Sequence, residues 1–123
     1  MIKNFLIVGV GGAVGSMLRY AVQKFFQAQT AAAFPTGTLL VNIAGCFLIG
    51  ILWSMISRSL TWNEGMKLLL ITGFCGGFTT FSAFTLEGIG LLKENRTVLF
   101  VIYLTVSVLG GLLATFIGIR IVK

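Results

Sequence analysis

The residues best suited to chemistry lie in one stretch, GFCGGFTTFSAFTLEG at positions 73–88. It places four glycines, three threonines, a serine and a glutamate inside a long apolar run. Hydrocarbon gives no hydrogen-bond partner to open backbone or to a carboxylate, so such a segment persists at membrane depth only where protein or water satisfies it. Unwound backbone exposes carbonyl oxygens that coordinate hard cations such as Na⁺, and the GGFTT junction is the natural source of them.

Aromatic rings follow directly after this junction. Phe81 and Phe84 are three residues apart and therefore share one face of a helix, with Ser82 beside them. An aromatic ring has a positive edge, so rings held edge-on to a pathway stabilise a small anion without binding it tightly. The alternative is that these rings simply face lipid or the protein core, which is common for phenylalanine in membranes.

Neutral donors occur elsewhere at helical spacing. Thr38 and Asn42 are four residues apart, as are Tyr103 and Ser107. Asn42 is the only amide well inside an apolar run, where it either lines a path or joins helices by hydrogen bonds worth roughly 0.6–2 kcal/mol. Neutral donors suit an anion that must shed water, and they suit a proton-coupled cation carrier poorly.

Two charged residues lie near the ends of apolar runs. A carboxylate such as Glu87 costs roughly 2.5–3.5 kcal/mol at the centre of a bilayer and is a functional candidate by default, although an interfacial acid is the alternative. Arg19 would attract anions if it faced a vestibule, or it would extend to the membrane surface.

These residues must be positioned by membrane helices. The 123-residue chain is 57% hydrophobic and 10% charged, with no histidine, and its three acids are all glutamates. Its mean hydropathy of +1.03 predicts an integral membrane protein with a single domain over residues 1–123. The acids are too few for most metal sites and most acid–base catalysis, so no enzyme is expected. The net charge of +6 is scattered, which argues against a nucleic-acid partner.

Four apolar runs are long enough to cross a bilayer. They cover residues 4–26, 37–57, 65–92 and 97–119 approximately. A lysine before the first run resembles a signal peptide, but the run continues too far and favours a first transmembrane helix. The third run exceeds one crossing, and we expect the helix to break near Gly76–Thr80. The alternative is close helix packing through Gly73-xxx-Gly77, as expected for Gly11-xxx-Gly15.

The cations do not determine an orientation. Four spans place five cations on the side of the termini and four on the other. The two sets are Lys3, Arg58, Lys67, Arg120 and Lys123, against Arg19, Lys24, Lys93 and Arg96. Such balance predicts insertion in both directions, since positive charge sets topology. Two oppositely oriented copies would then form a homodimer surrounded by membrane lipid.

The strings GGAVGSMLRY, GTLLVNIAGCFLIG and TGFCGGFTTFSAF together resemble the Fluc (CrcB-type) fluoride channels over nearly the whole chain. The resemblance implies an all-α fold with four transmembrane helices per subunit, the third broken mid-membrane, in an antiparallel dual-topology homodimer with two pores. It also implies roles for individual residues. Phe81 and Phe84 would turn their edges to fluoride, Asn42 would be a pore donor, and Arg19 would lie in the vestibule. Backbone carbonyls of Gly76 and Thr79 would hold a structural Na⁺, and the polar track would include Thr80, Ser82, Tyr103, Ser107 and Glu87. Many relatives have FSTF where this chain has Ala83.

The function implied by the resemblance is passive fluoride export across a prokaryotic inner membrane. Fluoride enters cells as neutral HF and ionises inside, and a negative-inside membrane drives the anion out. One rival is a small multidrug-type exporter, which needs an embedded acid that the first span lacks. The other is a non-transporting packing subunit, which would require neither Asn42 nor a broken helix.

Overall fold

A computed structural model of the chain describes residues 1–29, 34–58 and 62–122. Lys123, one of the cations counted above, lies outside the described residues, as do residues 30–33 and 59–61. The described part is helical, without a strand. Its helices are α1 (Ile2–Gln29), α2 (Thr36–Arg58), α3 (Glu64–Lys67), a π-helix (Leu68–Cys75), α4 (Gly76–Phe78), α5 (Phe81–Lys93) and α6 (Thr97–Ile121).

Four helical segments in the described residues are long and apolar enough to cross a membrane. Three are α1, α2 and α6, and the other is the run Glu64–Lys93, which joins α3, the π-helix, α4 and α5 and is called the third segment below. The chain is therefore an all-α, multi-pass membrane protein. The first helix packs closely on the third segment, as a transmembrane helix of the fold should.

Glycines allow α1 and the third segment to approach backbone to backbone. A Cβ atom at Gly11 or Gly15 would collide with carbonyl oxygens of the π-helix. A Cβ at Gly73 or Gly77 would collide in turn with the α1 backbone. Small residues at such contacts let helices approach where no hydrophobic effect drives association. Gly73 and Gly77 therefore serve close helix packing, which the sequence analysis gave as the alternative to a break.

A second close pair joins α2 to α6. A Cβ at Gly50 would meet the Thr115 carbonyl, and a Cβ at Gly118 would meet the Phe47 carbonyl. The Thr115 hydroxyl also donates to the Cys46 carbonyl at 2.9 Å. The fold thus consists of two tightly joined helix pairs, α1 with the third segment and α2 with α6.

The third segment is interrupted at two threonines. Thr79 has φ −93° and ψ 159°, and Thr80 has φ −152° and ψ 115°, so both are extended. α4 ends one residue before them and α5 begins one residue after them. β-branched residues tolerate extended backbone well, and Thr80 also caps α5 by accepting a hydrogen bond from the Ala83 N–H at 3.2 Å. The neighbouring Gly76 is itself helical, with φ −62° and ψ −38°.

A π-helix of eight residues, Leu68–Cys75, precedes the interruption. Its wider turns are rare in proteins and occur often at functional sites. The segment lies on the glycine face of α1, where its carbonyl oxygens fill the positions that side chains would otherwise occupy. No feature of the sequence predicts this wide helix.

The turn between α5 and α6 has a defined geometry. Asn95 has a φ of 60°, in the left-handed region that asparagine tolerates better than most residues. The Arg96 N–H donates to the Leu91 carbonyl at 2.8 Å and the Asn95 N–H to the Leu92 carbonyl at 3.1 Å. These two bonds form a Schellman motif, which ends α5 and turns the chain into the antiparallel α6.

Candidate functional site

A groove of about 430 Å³ opens on one side of the chain, between α2, the third segment and α6. Many of the predicted site residues line it. They are Asn42, Gly76, Thr79, Thr80, Phe81, Phe84 and Ser107. The rest of the lining is small or apolar, and none of the lining residues is charged. The groove therefore offers neutral donors and aromatic rings on an apolar wall.

Asn42 holds the interruption open. Its Nδ2 donates to the Thr80 carbonyl at 3.0 Å, and its Oδ1 accepts from the Thr80 N–H at 2.7 Å. The side-chain amide thus pairs with both backbone groups of an extended residue, as a neighbouring strand would. Gly45, one turn further along α2, makes room for this contact because a Cβ there would collide with the Thr79 side chain. Asn42 thus joins two helices, and it also lines the groove. Its second amide hydrogen is left to donate to another group.

The interruption removes the usual partners of two carbonyl groups. In a continuous helix the Thr80 N–H would bond to the Gly76 carbonyl, but here it donates to Asn42. The Ala83 N–H would likewise reach the Thr79 carbonyl, but it donates to the Thr80 hydroxyl. Both residues line the groove, and Gly76 is exposed. Carbonyl oxygens released in this way are the ligands that a hard cation prefers.

Arg19 lies at the end of α4. Its Nε donates to the Gly77 carbonyl at 3.0 Å, where a cation also complements the negative end of the helix dipole. A guanidinium has five N–H donors, so this bond leaves others to bind an anion. Arg19 is not among the residues that line the groove, and it is half-buried beside it.

The two phenylalanines of FSAF differ in exposure. The Phe81 ring is 76% exposed, while Phe84 is half-buried and packs against Tyr103 with ring centroids 5.1 Å apart. The centroids of Phe81 and Phe84 are 5.7 Å apart, with the ring planes tilted by 38°. Ser82 is exposed, with its hydroxyl 3.3 Å from that of Thr80.

Ser107 has an unpaired hydroxyl at the groove. Its oxygen is buried and makes no hydrogen bond to any part of the described chain. A buried hydroxyl without a partner costs free energy unless another group bonds to it.

Three predicted residues lie behind the groove in a buried polar cluster. Tyr103 and Thr38 are almost completely buried, at 0% and 1% exposure. The Tyr103 hydroxyl donates to a carboxylate oxygen of Glu87 at 3.3 Å. Glu87 is therefore joined to α6 within the protein. The Phe84–Tyr103 contact connects this cluster to the groove.

Two residues near the site were missed by the sequence argument. Gln23 donates from Nε2 to the Thr38 hydroxyl at 2.9 Å, and its signal was its position one turn after Arg19 on the same helix face. Phe34 packs edge-on against Tyr103 with centroids 5.6 Å apart. It directly precedes Pro35 in the sequence.

Comparison with known proteins shows which family the chain belongs to. The family model described as CrcB-like protein, Camphor Resistance (CrcB), matches residues 6–119. A protein of Rhizobium etli named fluoride-specific ion channel FluC is 46% identical over 118 residues, which is 96% of this chain and 94% of the relative. Proteins with the same name from Leptospira interrogans and Flavobacterium psychrophilum are each 40% identical over 121 residues, or 98% of this chain. The aligned residues cover 95% of the Leptospira protein and 98% of the Flavobacterium protein.

Proposed function

The chain belongs to the CrcB family, a family of channels rather than enzymes, and we propose that it is a fluoride-selective ion channel that exports fluoride passively. The observation that carries this proposal is the composition of the groove. The groove has an uncharged, apolar wall that carries the Asn42 amide and the unpaired Ser107 hydroxyl. The rings of Phe81 and Phe84 line it as well.

Fluoride is small and strongly hydrated, so a pore must replace its water with donors and still release it. The free amide hydrogen of Asn42 and the Ser107 hydroxyl are neutral donors, and the positive ring edges add weaker attraction. A cationic side chain among these donors would hold the anion too strongly for rapid passage. The same donors and ring edges would select fluoride over chloride, because donors spaced for a small anion fit a larger one poorly.

We propose that the path continues from the groove into the polar cluster of Thr38, Tyr103 and Glu87. The Phe84 ring lies between the two regions and contacts Tyr103. Thr80 and Ser82 extend the line of hydroxyls at the start of α5. The first turn of α5 begins at Phe81, which lines the groove, and helix N-termini favour anions.

We propose that two copies associate in opposite orientations to complete two pores. The exposed Phe81 ring and exposed Gly76 leave the groove open on one side in a single chain, so a second copy would be needed to enclose an aqueous path. The near balance of cations on the two faces supports insertion in both directions. The third segment of each copy would then be interrupted mid-membrane.

We propose that carbonyl groups of Gly76 and Thr79 hold a structural Na⁺, the two copies supplying one pair each. The donors fit this ion because the interruption has removed their helical partners and left hard, neutral oxygen ligands. A bound Na⁺ would supply positive charge at the contact between the third segments. Arg19 would concentrate anions at the entrance through its free donors.

The proposed location is the inner membrane of a prokaryote, which agrees with the bacterial sources of the relatives. HF that crosses the membrane in acid surroundings ionises inside, and the membrane potential drives the anion out. The potential is worth about 2.3 kcal/mol per charge at 100 mV, so no energy-coupled step is needed.

The test is anion efflux from liposomes that contain the purified protein, measured with fluoride and chloride electrodes. We expect fast fluoride efflux without chloride efflux, and a loss of at least about 100-fold in Phe81→Ile combined with Phe84→Ile. The control is Phe5→Ile, at a ring that is 71% exposed but far from the groove in sequence and structure, and it should conduct normally. Reconstituted wild-type protein without fluoride flux would refute the channel assignment.

A further inference from the structure

A second groove lies where α1 and the third segment begin. Its volume is about 680 Å³, and it shares no lining residue with the groove of the proposed path. Two of its lining residues are polar, Lys3 and Asn63, and the others are apolar or glycine. It is called the α1 groove below. Neither the sequence analysis nor the proposed function assigns it a role.

The polar and apolar parts of the α1 groove lie at different depths in the membrane. Lys3 belongs to the first turn of α1, and Asn63 directly precedes α3. Because only α2 crosses between α1 and the third segment, the two segments run in the same direction and begin at the same membrane surface. Leu6 and Val10 follow on α1, 65% and 59% exposed, with Val10 about 10 Å deeper than Lys3 along the helix axis. The groove is therefore polar at the surface and apolar toward the bilayer centre, as a phospholipid is.

The polar end of the α1 groove carries hydrogen-bond donors. The Asn63 Oδ1 accepts from the Met66 N–H at 2.8 Å, which caps α3 and fixes the orientation of the side-chain amide. This bond uses the amide oxygen, so the nitrogen keeps two hydrogens to donate. Lys3 is exposed and has no carboxylate partner among the described residues. An ammonium group and an amide nitrogen at one end of a groove suit a phosphate group.

The surrounding charges also favour an anion. Lys3, Arg58, Lys67 and Arg120 lie at this membrane surface, and Glu64 is the one acid there among the described residues. Glu64 is exposed and does not line the α1 groove. Cations near a membrane surface attract anionic lipids, and the attraction is strongest within a few ångströms of the charge.

We propose that the α1 groove binds an anionic phospholipid, with an acyl chain along Leu6 and Val10 and the phosphate at Lys3 and Asn63. The inference depends on the chain being a multi-pass membrane protein and not on fluoride transport. A second copy is a poorer occupant, because it is proposed to cover the other groove. With a net charge of +6, it would also bring further positive charge toward Lys3.

The experiment uses Trp62 as a reporter of the bound lipid. Trp62 directly precedes Asn63, and Trp53→Phe leaves it as the single tryptophan of the chain. This protein is placed in phosphatidylcholine bilayers that contain increasing amounts of brominated phosphatidylglycerol or brominated phosphatidylcholine, with the bromine in the upper half of the acyl chain. Bromine quenches tryptophan fluorescence at contact, so the two quenching curves give the relative affinity for the anionic lipid.

Phosphatidylglycerol should be preferred at Trp62, and Lys3→Gln should reduce the preference about fivefold, which corresponds to about 1 kcal/mol per cation near an anionic surface. Lys24→Gln is the matched control, since it makes the same change at an exposed position of α1 near the other membrane surface, and it should leave the preference unchanged. Equal quenching by the two lipids in the protein with Lys3 would overturn the proposal. A preference that survives Lys3→Gln would do so too.

Asn63→Ser separates a binding site from diffuse attraction to surface charge. Serine also caps helices, so this variant keeps the start of α3 and the net charge but loses the amide donors. The preference for phosphatidylglycerol should fall about twofold or more, and an unchanged preference would show that charge alone attracts the lipid and that no site exists.

Dilution of the protein in the bilayer tests for a second copy in the α1 groove. Quenching by both lipids should be independent of the protein-to-lipid ratio if lipid occupies the groove. Quenching that rises on dilution would identify a second copy as the occupant and overturn the proposal. These measurements detect lipid contact directly, so their outcome is separate from whether the protein conducts fluoride.

Discussion

The pairing of Asn42 with Thr80 is the contact on which the interruption of the third segment depends. Asn42→Ala removes one donor and one acceptor, and it leaves both the N–H and the carbonyl of Thr80 without their partners. A buried group left unpaired costs roughly 1–3 kcal/mol, and because Thr80 is only partly buried we use the lower end for each of its two groups, so the free energy of unfolding should fall by about 2 kcal/mol. This exceeds the roughly 0.6 kcal/mol average for interhelical bonds in membranes, because extended Thr80 has no alternative partner.

The assay is reversible unfolding in lipid bicelles, combined with hydrogen exchange at the Thr80 amide. Asn4→Ala removes an exposed amide near the start of α1 and serves as the control, with little expected change. The reasoning is refuted if Asn42→Ala matches Asn4→Ala to within about 1 kcal/mol and the Thr80 amide remains protected.

Three further changes test other parts of the structure. Gly77→Ala should lower the free energy of unfolding by about 1–3 kcal/mol through collision with the α1 backbone, whereas Gly9→Ala, in open space, should be neutral or slightly stabilising in the same unfolding assay. Asn95→Ala should cost about 1 kcal/mol because of its positive φ, and Asn95→Gly should not; equal effects would exclude a backbone origin. Glu87→Gln should keep fluoride efflux within a few-fold of wild type, since its carbonyl still accepts from Tyr103, whereas a proton-coupled exporter would lose all transport.

The helices were predictable because apolar length is a strong and local signal. All four spanning segments follow from uninterrupted apolar runs, and the structure extends α1 and α2 by only a few residues beyond the expected limits. The groove residues were also found, since Asn42 and the hydroxyl residues are conspicuous in an apolar sequence. Their cost in lipid is what makes them visible.

The contacts that these residues make were harder to predict, because their partners are distant in sequence. Asn42 and Thr80 are 38 residues apart, and no periodicity links an amide to one particular backbone unit. The glycine pair at 76–77 suggested a flexible break, but Gly77 is needed for space against α1 and the threonines carry the extended backbone. The π-helix depends on the same close contact with α1, so it too is a product of packing.

The interruption has a consequence for the biogenesis of the protein. The partner that satisfies Thr80 belongs to α2, so the third segment alone has no means of satisfying an extended backbone in lipid. As it leaves the insertion machinery, this segment should therefore enter the bilayer as one continuous helix. It opens at Thr79 and Thr80 only when it packs against α2, whose Asn42 pairs with Thr80. The groove therefore forms only as the tertiary fold is completed, before a second copy can enclose a path.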